Sequence, residues 1–113
     1  MHATRTKSIA IYARSASAFG HAQALEHQVQ QARALIARRY GELAEVQVFT
    51  DSAPCASIGD RPGLAAMMQA AESGSIQRIV TDDVTRLSRN NTEQMSIIDS
   101  LDHWDIALTT LNS

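Results

Sequence analysis

The sequence predicts an α/β fold, a three-layer sandwich in which a mostly parallel sheet of about four strands is flanked by helices on both faces. Three observations predict it. Short apolar runs alternate with segments of helical periodicity, the pattern of strand–helix–strand units. The first run, Ile9-Ala10-Ile11-Tyr12, is continuous rather than alternating, as in a strand buried on both faces. The composition is 44% apolar but only 4% aromatic, which suits an aliphatic core and not a platform for stacking bases.

In chain order, residues 1–7 are polar and expected to be flexible. Residues 8–14 form the first strand, and residues 15–22, rich in small side chains, form a loop. From His21 to Arg39 the spacing is helical, with Leu25, Val29, Ala32, Leu35 and Ile36 on one face and Glu26, Gln30, Arg33 and Arg38 on the other. Gly41 is the expected stop. Val46, Val48 and Phe49 mark a second strand ending at Thr50-Asp51. The Ser/Pro/Gly/Asp-rich stretch 51–60 is a loop. Asp60 is placed to cap a second helix that starts with Arg61-Pro62, continues through Leu64, Met67, Met68 and Ala71, and ends at Ser73-Gly74. Ile76 to Thr81 reads as a third strand, and Asp82 to Asn91 as a polar connection. Thr92 to His103 reads as a third helix, with Trp104 as a core anchor at its end. Ile106, Leu108 and Leu111 close a fourth strand. Met67, Met68 and Met95 all fall at core spacing.

Composition bounds the function. A chain of 113 residues forms one domain with a real core. The net charge of -2 and pI near 6.0 give no global case for nucleic acid, so any such case is local. The single Cys55 excludes an internal disulfide and fits a reducing, cytoplasmic setting. No apolar run approaches the roughly 20 residues that span a bilayer, and residues 1–7 carry no signal-peptide pattern. His2, His21, His27 and His103 are scattered without metal-ligand spacing. Gly59, Gly63 and Gly74 make no phosphate-cradling loop. No cofactor or metal is expected.

Four arginines stand at strand ends and in the loops after them: Arg14, Arg61, Arg86 and Arg89. Strand carboxyl ends open into the crevice where ligands bind in parallel sheets. Converging guanidinium forks suit a phosphate's oxygens and stabilise the charge of phosphoryl transfer. Asp51 and Asp60 could orient these forks by ion pairing. The competing reading makes all four arginines solvated surface residues.

The order of these pieces is more specific than any one of them. A Tyr-x-Arg strand end (Tyr12 to Arg14) is followed by Leu25 to Gln28 in a helix and by Asp51 after the second strand. Asp60-Arg61-Pro62-Gly63-Leu64 and Arg86-Leu87-Ser88-Arg89-Asn90 come next. This sequence resembles the catalytic domain of the serine recombinases, the resolvase and invertase family, from Ile9 to about Leu111. The resemblance implies attack of a serine on a DNA phosphate through a 5′-phosphoserine link, without metal or cofactor. It also implies phosphate-binding or catalytic roles for Arg14, Arg61, Arg86 and Arg89, with Gln28 and Asp51 as further site residues.

Departures accompany the matches. The family's nucleophile position, two residues after Arg14, is Ala16, which cannot attack phosphorus. The aspartate expected before Arg86 is Thr85. Cys55-Ala56 stands where a Ser-Gly pair is usual, with one extra residue before Arg61, and the loop after Ala16 is longer than in small resolvases. Ser15 and Ser17 flank Ala16 as displaced candidates, although strand neighbours point to opposite sides.

The expected function is therefore a serine-recombinase-type domain with an impaired site, regulatory or partner-binding. An active strand-transferase using Ser15 or Ser17 is one alternative, and a nucleotide- or small-anion-binding α/β module is another. The expected partners are DNA, held weakly or only with a partner, and either a second copy or a full-length recombinase; no membrane is expected. Residues 8–113 correspond to the catalytic core, without the long dimerisation helix and DNA-binding domain that the resemblance implies.

Overall fold

The computed structural model describes residues 8–15, 21–41, 44–52 and 61–111. In order these form β1 (Ser8–Ser15), α1 (His21–Tyr40), β2 (Glu45–Ser52), α2 (Pro62–Glu72), β3 (Arg78–Thr81), a 3-10 turn (Val84–Arg86), α3 (Asn91–His103) and β4 (Ala107–Thr110). The four strands pair in the order β2-β1-β3-β4, and every pairing is parallel.

β1 is buried along its whole length, as its unbroken apolar run requires. Its side chains alternate between two cores. Ile9 and Ile11 pack with Ala32, Leu35 and Ile36 of α1, while Ala10 and Tyr12 pack with Leu64 and Met67 of α2 and Ile97 and Leu101 of α3. Helix α1 thus covers one face of the sheet, and α2 and α3 cover the other. Each fully buried Ile or Leu in these layers stabilises the fold by about 1.5–3 kcal/mol. α1 stops where Gly41 takes a φ of 82°, a left-handed conformation that glycine adopts without a Cβ penalty, and its N–H bonds to the Ala37 carbonyl at 3.2 Å.

Several expectations are corrected. β3 starts at Arg78 rather than Ile76. Ile76 is buried in the α2/α3 core, and the Gln77 N–H still reaches the Ser8 carbonyl at 2.8 Å, so pairing begins before regular strand geometry does. β4 ends at Thr110, one residue short of Leu111. Met95 is 57% exposed instead of core, because it lies about 200° around α3 from Ile97, which with Leu101 forms the buried stripe. Asn90 caps α3 by accepting from the Glu93 N–H at 2.9 Å. No helix among the described residues is long and apolar enough to cross a membrane.

The strand order places the site. From β1 the chain passes through α1 to β2 on one side, and from β3 it passes through α3 to β4 on the other. The carboxyl ends of β1 and β3 therefore border the topological switch point, where open parallel sheets form their ligand crevice.

Candidate active site

Arg14 stands at the end of β1, on the α2/α3 side of the sheet, and is only 6% exposed. Pairing of β1 with β3 stops at Tyr12–Thr81, which leaves the Arg14 backbone without a β3 partner. Gln28 of α1 takes that place. Its Oε1 accepts from the Arg14 N–H at 3.1 Å, and its Nε2 donates to the Arg14 carbonyl at 3.0 Å. A side-chain amide carries the same donor–acceptor pair as a peptide unit, so a buried glutamine can extend the ladder by one rung.

The guanidinium of Arg14 reaches across to the connection after β3. Its Nε donates to the Arg86 carbonyl at 3.0 Å, and its Nη2 to the Thr85 carbonyl at 2.8 Å. Those carbonyls are presented by the 3-10 turn. Asp83 caps the turn by accepting from the Thr85 N–H at 3.0 Å and from the Thr85 hydroxyl at 3.2 Å. The Thr85 amide, then the Thr85 hydroxyl and the charge of Arg86, hold the Asp83 carboxyl below the usual aspartate range against the opposing effect of desolvation. Arg86 reciprocates: its Nη1 donates to the Arg14 carbonyl at 3.2 Å, and its Nη2 pairs with Asp82 at 3.0 Å.

Arg61 precedes α2 and is 2% exposed. Its Nη1 donates to the same Arg86 carbonyl at 3.2 Å, and its Nη2 meets Glu93 of α3 at 3.4 Å. The start of α2 is fixed by Asp51. Its two carboxylate oxygens accept from the Gly63 and Leu64 N–H groups, each at 2.8 Å, and the Tyr12 hydroxyl donates to it at 2.7 Å. Asp51 therefore clamps the helix N-terminus, where amides and dipole favour an anion, and among the described residues no guanidinium is ion-paired with it. This corrects the ion-pairing expectation for Asp51. The capping expectation for Asp60 lies outside the described residues, as do Ala16, Ser17 and Cys55.

The structure thus brings Arg14, Arg61 and Arg86 together: Arg14 and Arg61 donate to the Arg86 carbonyl, and Arg86 donates to the Arg14 carbonyl. Burial, and then the charges of Arg61, Arg89 and Arg86, push the Arg14 guanidinium below its ordinary value, and Tyr12 opposes them. Arg89 is exposed, and it reaches the cluster through its charge. Burial, and then the bond to Asp51 and its charge, push the Tyr12 phenol far up, so it remains a donor. The Nε atoms of Arg61 and Arg86 are buried without a partner among the described residues. Ser15 is buried on the face of Ile9 and Ile11, opposite the Arg14 guanidinium.

Three participants escaped sequence reasoning: Tyr12 as a polar anchor, Asp82 and Glu93. Only Asp82 left a signal, its i,i+4 spacing to Arg86. A polar groove of about 680 Å³ borders the cluster through Gln28 and Asp82 and runs along α1 past Arg38 and Arg39, but the arginine forks lie outside it. Among the described residues no three His, Cys, Asp or Glu side chains are grouped to hold a metal ion.

Comparison with known proteins gives the family of the chain and relatives of its fold. The family model described as Resolvase, N terminal domain, matches residues 9–113. The fold is similar to the C-terminal catalytic domain of ISC1926 TnpA, an IS607-like serine recombinase, with a TM-score of 0.80 at 20% identity, covering 94% of this chain and 70% of that one. It is also similar to the N-terminal catalytic domain of TP901-1 integrase, with a TM-score of 0.75 at 21% identity, covering 94% and 78%. A resolvase family site-specific recombinase from Streptococcus pneumoniae aligns with a TM-score of 0.76 at 17% identity, covering 95% and 73%. No curated protein matches the sequence.

Proposed function

From the premise that this chain belongs to the resolvase N-terminal domain family, a serine-recombinase-type catalytic domain, we propose that it keeps the phosphate-binding half of the recombinase site and lacks the nucleophile. The observation that carries this reading is the convergence of Arg14 and Arg61 on the Arg86 carbonyl, with the Arg86 guanidinium returning to the Arg14 carbonyl, at the switch point. Cations gathered at a strand-end crevice suit a DNA phosphate.

On this reading Arg14, Arg61, Arg86 and Arg89 face the phosphate, while Gln28 and Asp51 position Arg14 and Arg61. Residue 16 is alanine, so the usual phosphoserine link has no oxygen from which to form. Ser15 is a poor substitute, since it lies on the other side of the strand from the Arg14 fork. Residues 8–113 act as the catalytic core unit, and a net charge of -2 leaves most of the DNA affinity to a recombinase partner or an attached DNA-binding domain. The resulting role is regulatory, through association with an active recombinase.

The test is a covalent-linkage assay on DNA with the chain fused to a DNA-binding domain of known site. It compares the wild type, Ser15→Ala/Ser17→Ala, and Ala16→Ser/Thr85→Asp. An adduct only in the last variant is expected. An adduct in the wild type that disappears in the serine double variant overturns the impairment and makes the chain an active strand-transferase.

A further inference from the structure

We propose that Asp82 and Glu93 are place-holding carboxylates, each occupying half of an arginine edge that an incoming phosphate takes whole. The inference rests on the phosphate-binding reading and adds to it how the empty site is held.

A guanidinium offers its Nε–H and one Nη2–H in parallel along one edge, spaced to receive two oxygens of a carboxylate or phosphate. In both Arg61 and Arg86 this edge is half used. Arg86 gives Nη2 to Asp82 at 3.0 Å and Arg61 gives Nη2 to Glu93 at 3.4 Å, while both Nε atoms are buried with no partner among the described residues. The other end of each fork is pinned to backbone. Arg86 Nη1 donates to the Arg14 carbonyl and Arg61 Nη1 to the Arg86 carbonyl, each at 3.2 Å.

The two arginines therefore share one arrangement: a fixed Nη1, and an Nε–Nη2 edge bearing a single-point acid. Both acids are reachable from solvent. The side chain of Glu93 is 24% exposed against 3% for Arg61, so it can withdraw toward solvent while the Arg61 fork stays in place. Asp82 and Arg86 are both partly exposed, at 25% and 31%, so in that pair the acid and the fork both have access to solvent. Glu93 sits in the first turn of α3, where Asn90 accepts from its backbone N–H, and its carboxylate meets Arg61 at 3.4 Å. A buried donor without an acceptor is costly, and a phosphate bridging Nε and Nη2 removes that cost as it displaces the acid. Asp82 and Glu93 are thus positioning residues: they hold the forks in register without ligand and compete with the ligand for them.

The sign of the effect tests this. The ¹⁵N side-chain signals of Arg61 and Arg86 Nε–H are followed while inorganic phosphate is added at constant ionic strength. The proteins compared are the wild type, Glu93→Gln, Asp82→Asn, Arg61→Gln, and Glu93→Gln/Arg61→Gln, each checked for folding by circular dichroism. Phosphate is expected to shift both Nε signals, and each neutral acid variant to bind about three-fold more tightly, the scale of a partly exposed ion pair. The Glu93→Gln gain is expected to vanish in the Arg61→Gln background. Equal or weaker affinity in the neutral variants overturns the proposal. So does a gain that persists without Arg61, or the absence of any Nε shift in every protein. An adduct in the unmodified chain would overturn the impaired-site reading and leave this inference standing. Unchanged phosphate affinity beside an adduct in Ala16→Ser/Thr85→Asp alone does the reverse.

Discussion

A Cβ placed on Gly63 would lie 2.3 Å from the Thr50 carbonyl oxygen and 2.8 Å from the Thr50 carbonyl carbon. The obstacle is backbone of β2, which cannot rotate aside as a side chain can. The contact exists because Asp51 draws the first turn of α2 against the end of β2, and only a residue without a side chain tolerates that approach.

Gly63→Ala is therefore expected to destabilise the fold by about 2–3 kcal/mol, the scale of overpacking at a rigid site. Urea unfolding should show a lower midpoint with an unchanged slope. A midpoint within error of wild type would mean that α2 can shift without cost, and that its position does not depend on this contact.

Asp51 gives a sharper expectation, because two substitutions separate charge from shape. Asp51→Ala leaves the Gly63 and Leu64 amides and the Tyr12 hydroxyl without their acceptor, at a cost of about 3 kcal/mol. Asp51→Asn keeps one oxygen but sets an NH₂ group against a donor on α2, so it is expected to recover little. Near-wild-type stability in Asp51→Asn, read by urea unfolding, would contradict the two-amide clamp.

Legibility in the sequence followed the range of the interaction. β1 was readable because its run Ile9 to Tyr12 is apolar at every position, which only a strand buried on both faces needs. The arginines were readable because Arg14, Arg61 and Arg86 each sit at a strand end or beside a turn. Met95 misled because it falls near Ile98 in sequence, yet the stripe that reaches the core runs through Ile97 and Leu101. The Asp51 clamp was hidden because its partners lie twelve and thirteen residues downstream, across a loop. Glu93 was hidden because it meets Arg61 only once α3 packs beside α2. Long-range polar pairing leaves no periodicity to read.

The titrating groups set opposite limits. Asp83 lies below its ordinary range, so its capping contribution is present above the unfolded value and is lost as pH falls through the folded one. The Thr85 amide resonance is expected to move with a midpoint below about 3.9, and to lose that transition in Asp83→Asn. Tyr12 lies above its ordinary value, so its contribution is intact below about 10 and is lost only as pH rises through the folded value. In an alkaline absorbance titration its ionisation should coincide with unfolding. A Tyr12 signal titrating near 10 in folded protein would contradict the buried bond to Asp51.

Gln28 connects stability to the site most directly. It supplies both hydrogen bonds to the Arg14 backbone at the end of β1, and it is itself only 6% exposed. Gln28→Ala removes both and leaves a buried N–H without a partner, at about 1–3 kcal/mol. Gln28→Glu separates the two roles. It keeps an acceptor for the Arg14 N–H but turns the donor into a second oxygen facing the Arg14 carbonyl, and it buries a negative charge beside the cluster. If Gln28 only fills space, Gln28→Glu should resemble wild type in both stability and phosphate affinity. If it is the extra rung of the ladder, Gln28→Glu should lose stability comparable to Gln28→Ala. Because the Arg14 carbonyl also receives Arg86 Nη1, the Arg86 side-chain signal should shift in both variants without any ligand. An unmoved Arg86 signal would mean that the cluster is held by the 3-10 turn alone and that Gln28 serves the strand but not the site.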